Sequence, residues 1–250
     1  MLKSRLCIAF FAFAVGCAPA QKPLTDYVNP MLGTATLWDS VDLGFKPTKR
    51  TWGAEVFPGS SLPNAMVQVS PVTKFHSGAG YQYEDSVIYG FTHTNKGHWN
   101  LCHIPLLPVT GTPTPGDYCS PFSHERESAA PGYYQVFLDR YGVDAQLSST
   151  LRCAFHKYTY PAGAAASLLA DLQRSNEHVR AWDIRKEGDN VFAGWQQTGE
   201  KMYFYAVANR PVTGIEPVVE GDREVRIVRF GEGDGALELR IGFSFVSEKK

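Results

Sequence analysis

The sequence predicts an all-β protein, a large antiparallel β-sandwich with few short helices, and three observations carry that prediction. Apolar and polar side chains alternate over long stretches, Gly and Pro recur at short intervals (23 and 16 of 250 residues), and aromatic residues reach 13% of the chain. No repeat, charged run or low-complexity tract divides the chain, so one domain is expected over residues 21–250.

The clearest element is ALELRIGFSFVS, where Leu237, Leu239, Ile241, Phe243 and Phe245 alternate with Glu238, Arg240, Gly242 and Ser244. That period of two predicts a strand with one buried and one wetted face. Tyr134, Val136 and Leu138 alternate with Gln135 and Asp139, residues 139–142 supply turn chemistry, and Val143, Ala145 and Leu147 resume the pattern, which predicts a hairpin. In KMYFYAVANR the apolar residues fall on both parities, so that strand is expected to be covered on both faces. GEGDG, Gly231 to Gly235, lies between two strand patterns and is expected to be a hairpin turn, not a phosphate cradle. PAGAAASLLADLQ, from Pro161, is ambiguous: its alanines and leucines favour a helix, and its setting after a strand favours a covered strand.

The first twenty residues are expected to leave or anchor the mature chain. Lys3 and Arg5 precede an apolar run from Leu6 to Val15, the pattern of an export signal and too short to span a bilayer. Two exits fit: Ala14-Val15-Gly16-Cys17 resembles a lipobox with lipidation at Cys17, and Ala18-Pro19-Ala20 fits ordinary signal cleavage. We favour the lipoprotein reading, which places the protein in the periplasm or at the cell surface, anchored to the outer membrane through Cys17. Cys102, Cys119 and Cys153 remain, an odd number that allows at most one disulfide and is read first as small buried hydrophobes.

Charge excludes one class of partner. With 24 basic and 25 acidic side chains the chain has no field that would select nucleic acid. No phosphate loop, serine elbow or Cys–His protease signature is present. Paired carboxyls for general acid–base chemistry are not visible either: Glu55, Asp85, Asp117 and Glu125 sit singly among turn signals. Glu55, hemmed by Trp52 and Phe57, is the exception that invites a polar role, because an uncompensated charge there is costly to bury.

GFTHTNKGHWNLCH, Gly90 to His103, is the densest chemical stretch. Its histidines, His93, His98 and His103, are five apart, a spacing that sends successive side chains to opposite faces of a strand and about 140° apart on a helix. Convergence on a metal is disfavoured, and no recognised zinc spacing is present. Sugars need an aromatic ring for their C–H face and His, Lys, Asn or Glu for their hydroxyls, types that THTNKGHWN supplies around the flexible Gly97. The competing reading is a loop packed under the sandwich, with His103 a satisfied core histidine.

Several longer motifs resemble a known family. YVNPMLGT (Tyr27 to Thr34), VFPGSSLPNAMVQVSP (Val56 to Pro71), GYQY with IYGFTHT (Gly80 to Thr94) and the run from Phe122 to Pro161 are similar, in order, to the N-terminal domain of glycoside hydrolase family 92. The resemblance extends from about Tyr27 to Ser247. It implies a galactose-mutarotase-like supersandwich and, for the whole enzyme, an exo-acting bacterial α-mannosidase that cleaves α-1,2 and related linkages with inversion and with calcium. It also implies that the general acid, the water-activating Asp and most calcium ligands lie on a C-terminal (α/α)6 barrel, so no cofactor and no catalytic residue is expected in this chain, which should be inactive alone. The family's GFSHTHxSGTG pattern is left after His93-Thr94, where NKGHWNLCHIP follows, so linkage preference is open. The substrate-binding candidates are Glu55, His93, Lys96, His98, Trp99 and Asn100. Expected partners are mannose-containing glycans and the barrel, in cis or in trans. A stand-alone carbohydrate-binding surface lipoprotein and a structural module docking on a separate barrel are the alternatives.

Overall fold

A computed structural model describes residues 22–36, 55–96, 99–233 and 235–248, with nothing described for the Lys96 side chain. The export signal with Cys17, and also Trp52 and His98, lie outside the described residues.

Two antiparallel sheets make the sandwich. The seven-stranded sheet runs, edge to edge, Ser60–Ser61, Gln68–Val72, Gly90–Thr92, Leu106–Val109, Ser167–Ala170, Arg223–Phe230 and Val212–Glu220. The eight-stranded sheet runs Ala181–Gly188, Val191–Gln197, Lys201–Ala208, Leu237–Ser244, Cys153–Thr159, Val143–Ser149, Tyr133–Leu138 and Glu127–Ala130. The core between them joins Leu106, Leu168 and Ile227 of the first sheet to Val136, Leu147, Phe204 and Leu239 of the second. Helical structure among the described residues is two short 3-10 turns, Leu24–Tyr27 and His124–Arg126.

The alternation rule holds where one face is wet. Tyr133–Leu138 pairs with Val143–Ser149 in the expected hairpin, with Leu138 opposite Val143. Leu237, Leu239, Ile241 and Phe243 are buried as the pattern requires. Phe245 is not: it lies beyond the strand and is 48% exposed.

Three expectations are corrected or decided. Ser167–Ala170 is a strand with every residue buried, because it lies between Leu106–Val109 and Arg223–Phe230 and both its faces are covered; sheet pairing overrides its helix propensity. GEGDG is not a hairpin turn, since the strands on either side belong to different sheets and the loop carries the chain across the sandwich. Lys201–Ala208 is covered on one face only: Met202, Phe204 and Ala206 are buried, and Tyr205 on the other parity is 39% exposed. On that outer face of the eight-stranded sheet Tyr203 is half-buried beside the exposed Tyr205. Of the cysteines, Cys102 is buried as expected, whereas Cys119 is half-buried, Cys153 is exposed, and all three are free.

Candidate functional site

Gly90–Thr92 enters the sandwich between Gln68–Val72 and Leu106–Val109, and the chain then leaves the sheet for a small hairpin, Asn95–Lys96 paired with Trp99–Asn100. That excursion keeps the histidines apart. His93 is buried, with Nε2 3.1 Å from Nε2 of His156 and its ring 4.7 Å from that of Phe243. His156 in turn holds the Tyr158 hydroxyl through Nδ1 at 2.5 Å. His103 points elsewhere: Nδ1 meets the Thr94 hydroxyl at 2.9 Å and Nε2 lies 3.1 Å from the Thr198 hydroxyl and 3.2 Å from Glu177. It is the satisfied core histidine that the packed-loop reading describes.

Burial dominates the ionisation of these rings. Desolvation pulls His93 down to about 3 and holds His156 well below the ordinary histidine value, helped by the neighbouring His93. His103 is also lowered by burial, against the opposing pull of Glu177. Neutral imidazoles therefore fill this part of the interior at physiological pH.

The backbone around His103 is strained. Cys102 and Ile104 both adopt left-handed conformations, with φ of 52° and 54°, a region that costs an L-residue about 1–2 kcal/mol and is an outlier for β-branched Ile. Neighbouring amides impose it. The Cys102 N–H donates to Asn100 Oδ1 at 2.8 Å and the Ile104 N–H to Gln196 Oε1 at 2.9 Å. Asn100 is itself buried, its Nδ2 donating to the Ala79 carbonyl at 3.1 Å. Gly80 permits this packing, since a Cβ there would stand 2.6 Å from Asn100 Nδ2. The strain is held by these buried amide bonds at the foot of the hairpin.

Above this buried floor, Trp99 is 42% exposed. Both ends of the Asn95 amide lie beneath the surface without a hydrogen-bond partner among the described residues, as does His93 Nδ1. Residues 173–182, His76 and Arg223 border the same region and line a cavity of about 800 Å3. The loop is tied to the histidine stretch through Asn176 Nδ2, which donates to the Asn100 carbonyl at 2.6 Å, and Ser175 Oγ, which donates to the Leu101 carbonyl at 2.8 Å.

Residues 27–244 match the model of the glycosyl hydrolase family 92 N-terminal domain. The chain belongs to this family. The fold is similar to that of the family GH92 α-mannosidase BT3965 from Bacteroides thetaiotaomicron, with a TM-score of 0.76 and 25% identity over 90% of this chain and 34% of that one. The same enzyme in complex with mannoimidazole gives 0.75 and 25% over 90% and 33%. For the family GH92 inverting mannosidase BT2199 from Bacteroides thetaiotaomicron VPI-5482 the values are 0.72 and 23% over 90% and 32%, a likeness of fold. The chain thus spans about a third of the length of these solved relatives. A search of curated proteins gave no match.

Within this family 92 domain the six predicted binding residues separate into groups. Trp99 and Glu55 are exposed, Lys96 lies in the hairpin, and His98 is outside the described residues. His93 and Asn100 are enclosed, and in this chain they shape the floor and present no surface to a ligand. Among the other carboxyls, Asp85 accepts from the Thr73 hydroxyl at 2.7 Å and Asp117 is paired with Arg140 at 2.7 Å. No group of three or more His, Cys, Asp or Glu side chains among the described residues is placed to hold a metal ion.

Two buried carboxyls escaped the sequence reading. Glu127 accepts from the hydroxyls of Tyr81 at 3.0 Å and Tyr134 at 2.5 Å and pairs with His124 Nδ1 at 2.6 Å. Asp171 accepts from Tyr118 at 2.7 Å and from Arg223 at 2.6 Å, and desolvation raises its pKa above the ordinary aspartate value against those stabilising bonds. Neither is signalled by a sequence pattern, because Glu127 also needs Tyr81, 46 residues away, and Asp171 needs Tyr118 and Arg223, 53 and 52 residues away.

Proposed function

We propose that this chain is the N-terminal domain of an exported exo-α-mannosidase of family 92 that removes α-1,2-type mannosyl units from glycans. It forms one wall of the sugar pocket and the docking face for a C-terminal (α/α)6 barrel that carries the acid, the base and most calcium ligands. The observation that carries the reading is the match over residues 27–244 to the family's N-terminal domain, in a chain about a third as long as solved α-mannosidases of that family. The site adds support: a rigid, strained floor under an exposed tryptophan beside a polar cavity is a geometry suited to a pyranose ring.

The barrel's docking face is the groove of about 580 Å3 between Cys153–Thr159, Lys201–Ala208 and Leu237–Ser244, walled by Tyr203, Tyr205 and Val246. It borders the strand Leu237–Ser244, and about two thirds of the solved α-mannosidase BT3965 lies outside the part that matches this chain. The protein is exported and held at the outer membrane through Cys17.

The test is enzymatic. Alone, the 250-residue chain should release no mannose from α-1,2-mannobiose. In the enzyme that includes the barrel, Trp99→Ala should lower kcat/KM at least tenfold, about 1.4 kcal/mol of transition-state binding. Wild-type kinetics in that variant would refute a pocket role for the hairpin, and hydrolysis by the chain alone would refute the division of labour.

A further inference from the structure

His124, in the short turn His124–Arg126, sits between two hydrogen-bond acceptors. Its Nδ1 lies 2.6 Å from Oε2 of Glu127, and its Nε2 lies 2.7 Å from the backbone carbonyl oxygen of Tyr83. A carbonyl oxygen and an ionised carboxylate only accept, and a neutral imidazole donates from one nitrogen alone. Meeting both partners therefore takes the imidazolium, which donates from both.

The surroundings favour that cation. The Glu127 side chain is 2% exposed, and its oxygens also accept from the hydroxyls of Tyr81 at 3.0 Å and Tyr134 at 2.5 Å. Burial, and then the Glu127 charge, raise both phenols above the ordinary tyrosine value, so they stay protonated and act as donors. A buried carboxylate is stabilised by a paired cation, and among the described residues His124 is the one that reaches it. The Tyr83 ring lies flat against the imidazole, with centroids 3.9 Å apart and planes 4° from parallel, an arrangement that favours a charged ring over a neutral one. The other charges on these turns are engaged elsewhere or in solvent: Arg126 pairs with Asp139, Asp85 accepts from the Thr73 hydroxyl, and Glu125 is exposed.

The contact with Tyr83 holds more than one residue. The Tyr83 N–H donates to the Thr34 carbonyl at 3.0 Å, and the neighbouring Glu84 accepts from the Thr36 N–H at 2.7 Å. His124 thus fastens the loop of residues 82–85, and through it residues 34–36, to the edge strand Glu127–Ala130 of the eight-stranded sheet.

We propose that His124 is a proton-gated clasp, closed when its ring carries two protons and opened at Tyr83 when one is released to water. On that release the ring keeps Nδ1–H on the carboxylate, the stronger acceptor. The Nε2 lone pair then faces the Tyr83 carbonyl oxygen at 2.7 Å, where two acceptors repel, and the charge against the Tyr83 ring is gone. Rising pH is therefore the opening signal. The direction is opposite to that of His93 and His156, which burial keeps neutral. The clasp stands independently of the sugar-pocket reading.

The test is an NMR titration of the labelled 250-residue chain from about pH 5.5 to about pH 9, a range that brackets the usual charge change of histidine. Both ring nitrogens of His124 should carry protons at the lower end. Protection of the Tyr83 amide against hydrogen exchange, corrected for intrinsic exchange, should fall about tenfold or more as one proton is lost. In His124→Phe, which keeps a ring against Tyr83 and removes both donors, the amide should show the weaker protection at both ends. A His124 ring that holds one charge state across the range overturns the proposal. Tyr83 protection that stays level while His124 titrates overturns it too, as does a His124→Phe chain whose Tyr83 amide responds to pH as the wild type does.

Discussion

His93 and His156 are two imidazoles facing each other in a dry interior, and their consequence is a pH-dependent stability. Both folded-state pKa values lie below the value of about 6.5 that the unfolded chain would show, so the unfolded state binds more protons as the pH falls below 6.5. Stability is complete above that pH and is lost downward toward about 3, where His93 itself titrates. For His93 alone the loss by pH 5 amounts to about 2 kcal/mol. Urea midpoints at pH 7 and pH 5 check this, and an unchanged midpoint would refute it. Asn100 is the second residue whose role changes on seeing the fold. Asn100→Ala removes the acceptor of the Cys102 amide and the donor to Ala79, leaving buried partners unsatisfied at a cost of about 2–3 kcal/mol in denaturant unfolding. Residue types advertised sugar chemistry here, and for Trp99 the exposure fits that reading. His93 and Asn100 carry the same chemistry inward because the hairpin at residues 95–100 sets which side chains turn to solvent. That geometry has no period, so sequence spacing did not reveal it.

At the scale of elements, alternation was legible wherever a strand had one wet face, as in Tyr133–Leu138 and Leu237–Ser244. It fails for Ser167–Ala170, whose burial on both faces removes the period and leaves only a composition that favours helix. Leu168 and Leu169 point to opposite faces of this strand and are 0% and 1% exposed, so Leu168→Ala and Leu169→Ala should each cost about 2–5 kcal/mol. A helix with one solvent face would leave one of two adjacent leucines nearly free of penalty. Thermal unfolding of the two variants separates these outcomes. The loop at Gly231 to Gly235 teaches a related lesson: glycine marks a reversal of direction, but whether the next strand pairs with the last or crosses to the other sheet depends on contacts far away in sequence.

At the scale of the molecule, the fold class followed from patterning, and the family followed from motifs between Tyr27 and Pro161, with the family model matching residues 27–244. The buried networks around Glu127 and Asp171 stayed hidden, since each carboxylate takes a partner from far along the chain, 46 residues away for Glu127 and 53 for Asp171. As proposed above, this sandwich is one wall of a mannoside pocket whose chemistry resides elsewhere. One NMR titration of the labelled 250-residue chain with α-1,2-mannobiose tests it, because the indole signals of Trp99 and Trp182 and the integrity of the sugar are read in the same tube. The indole signals of Trp99 and of Trp182, which lines the cavity, should move at millimolar sugar while the disaccharide remains intact. Unmoved indoles, or free mannose accumulating in the tube, would contradict it.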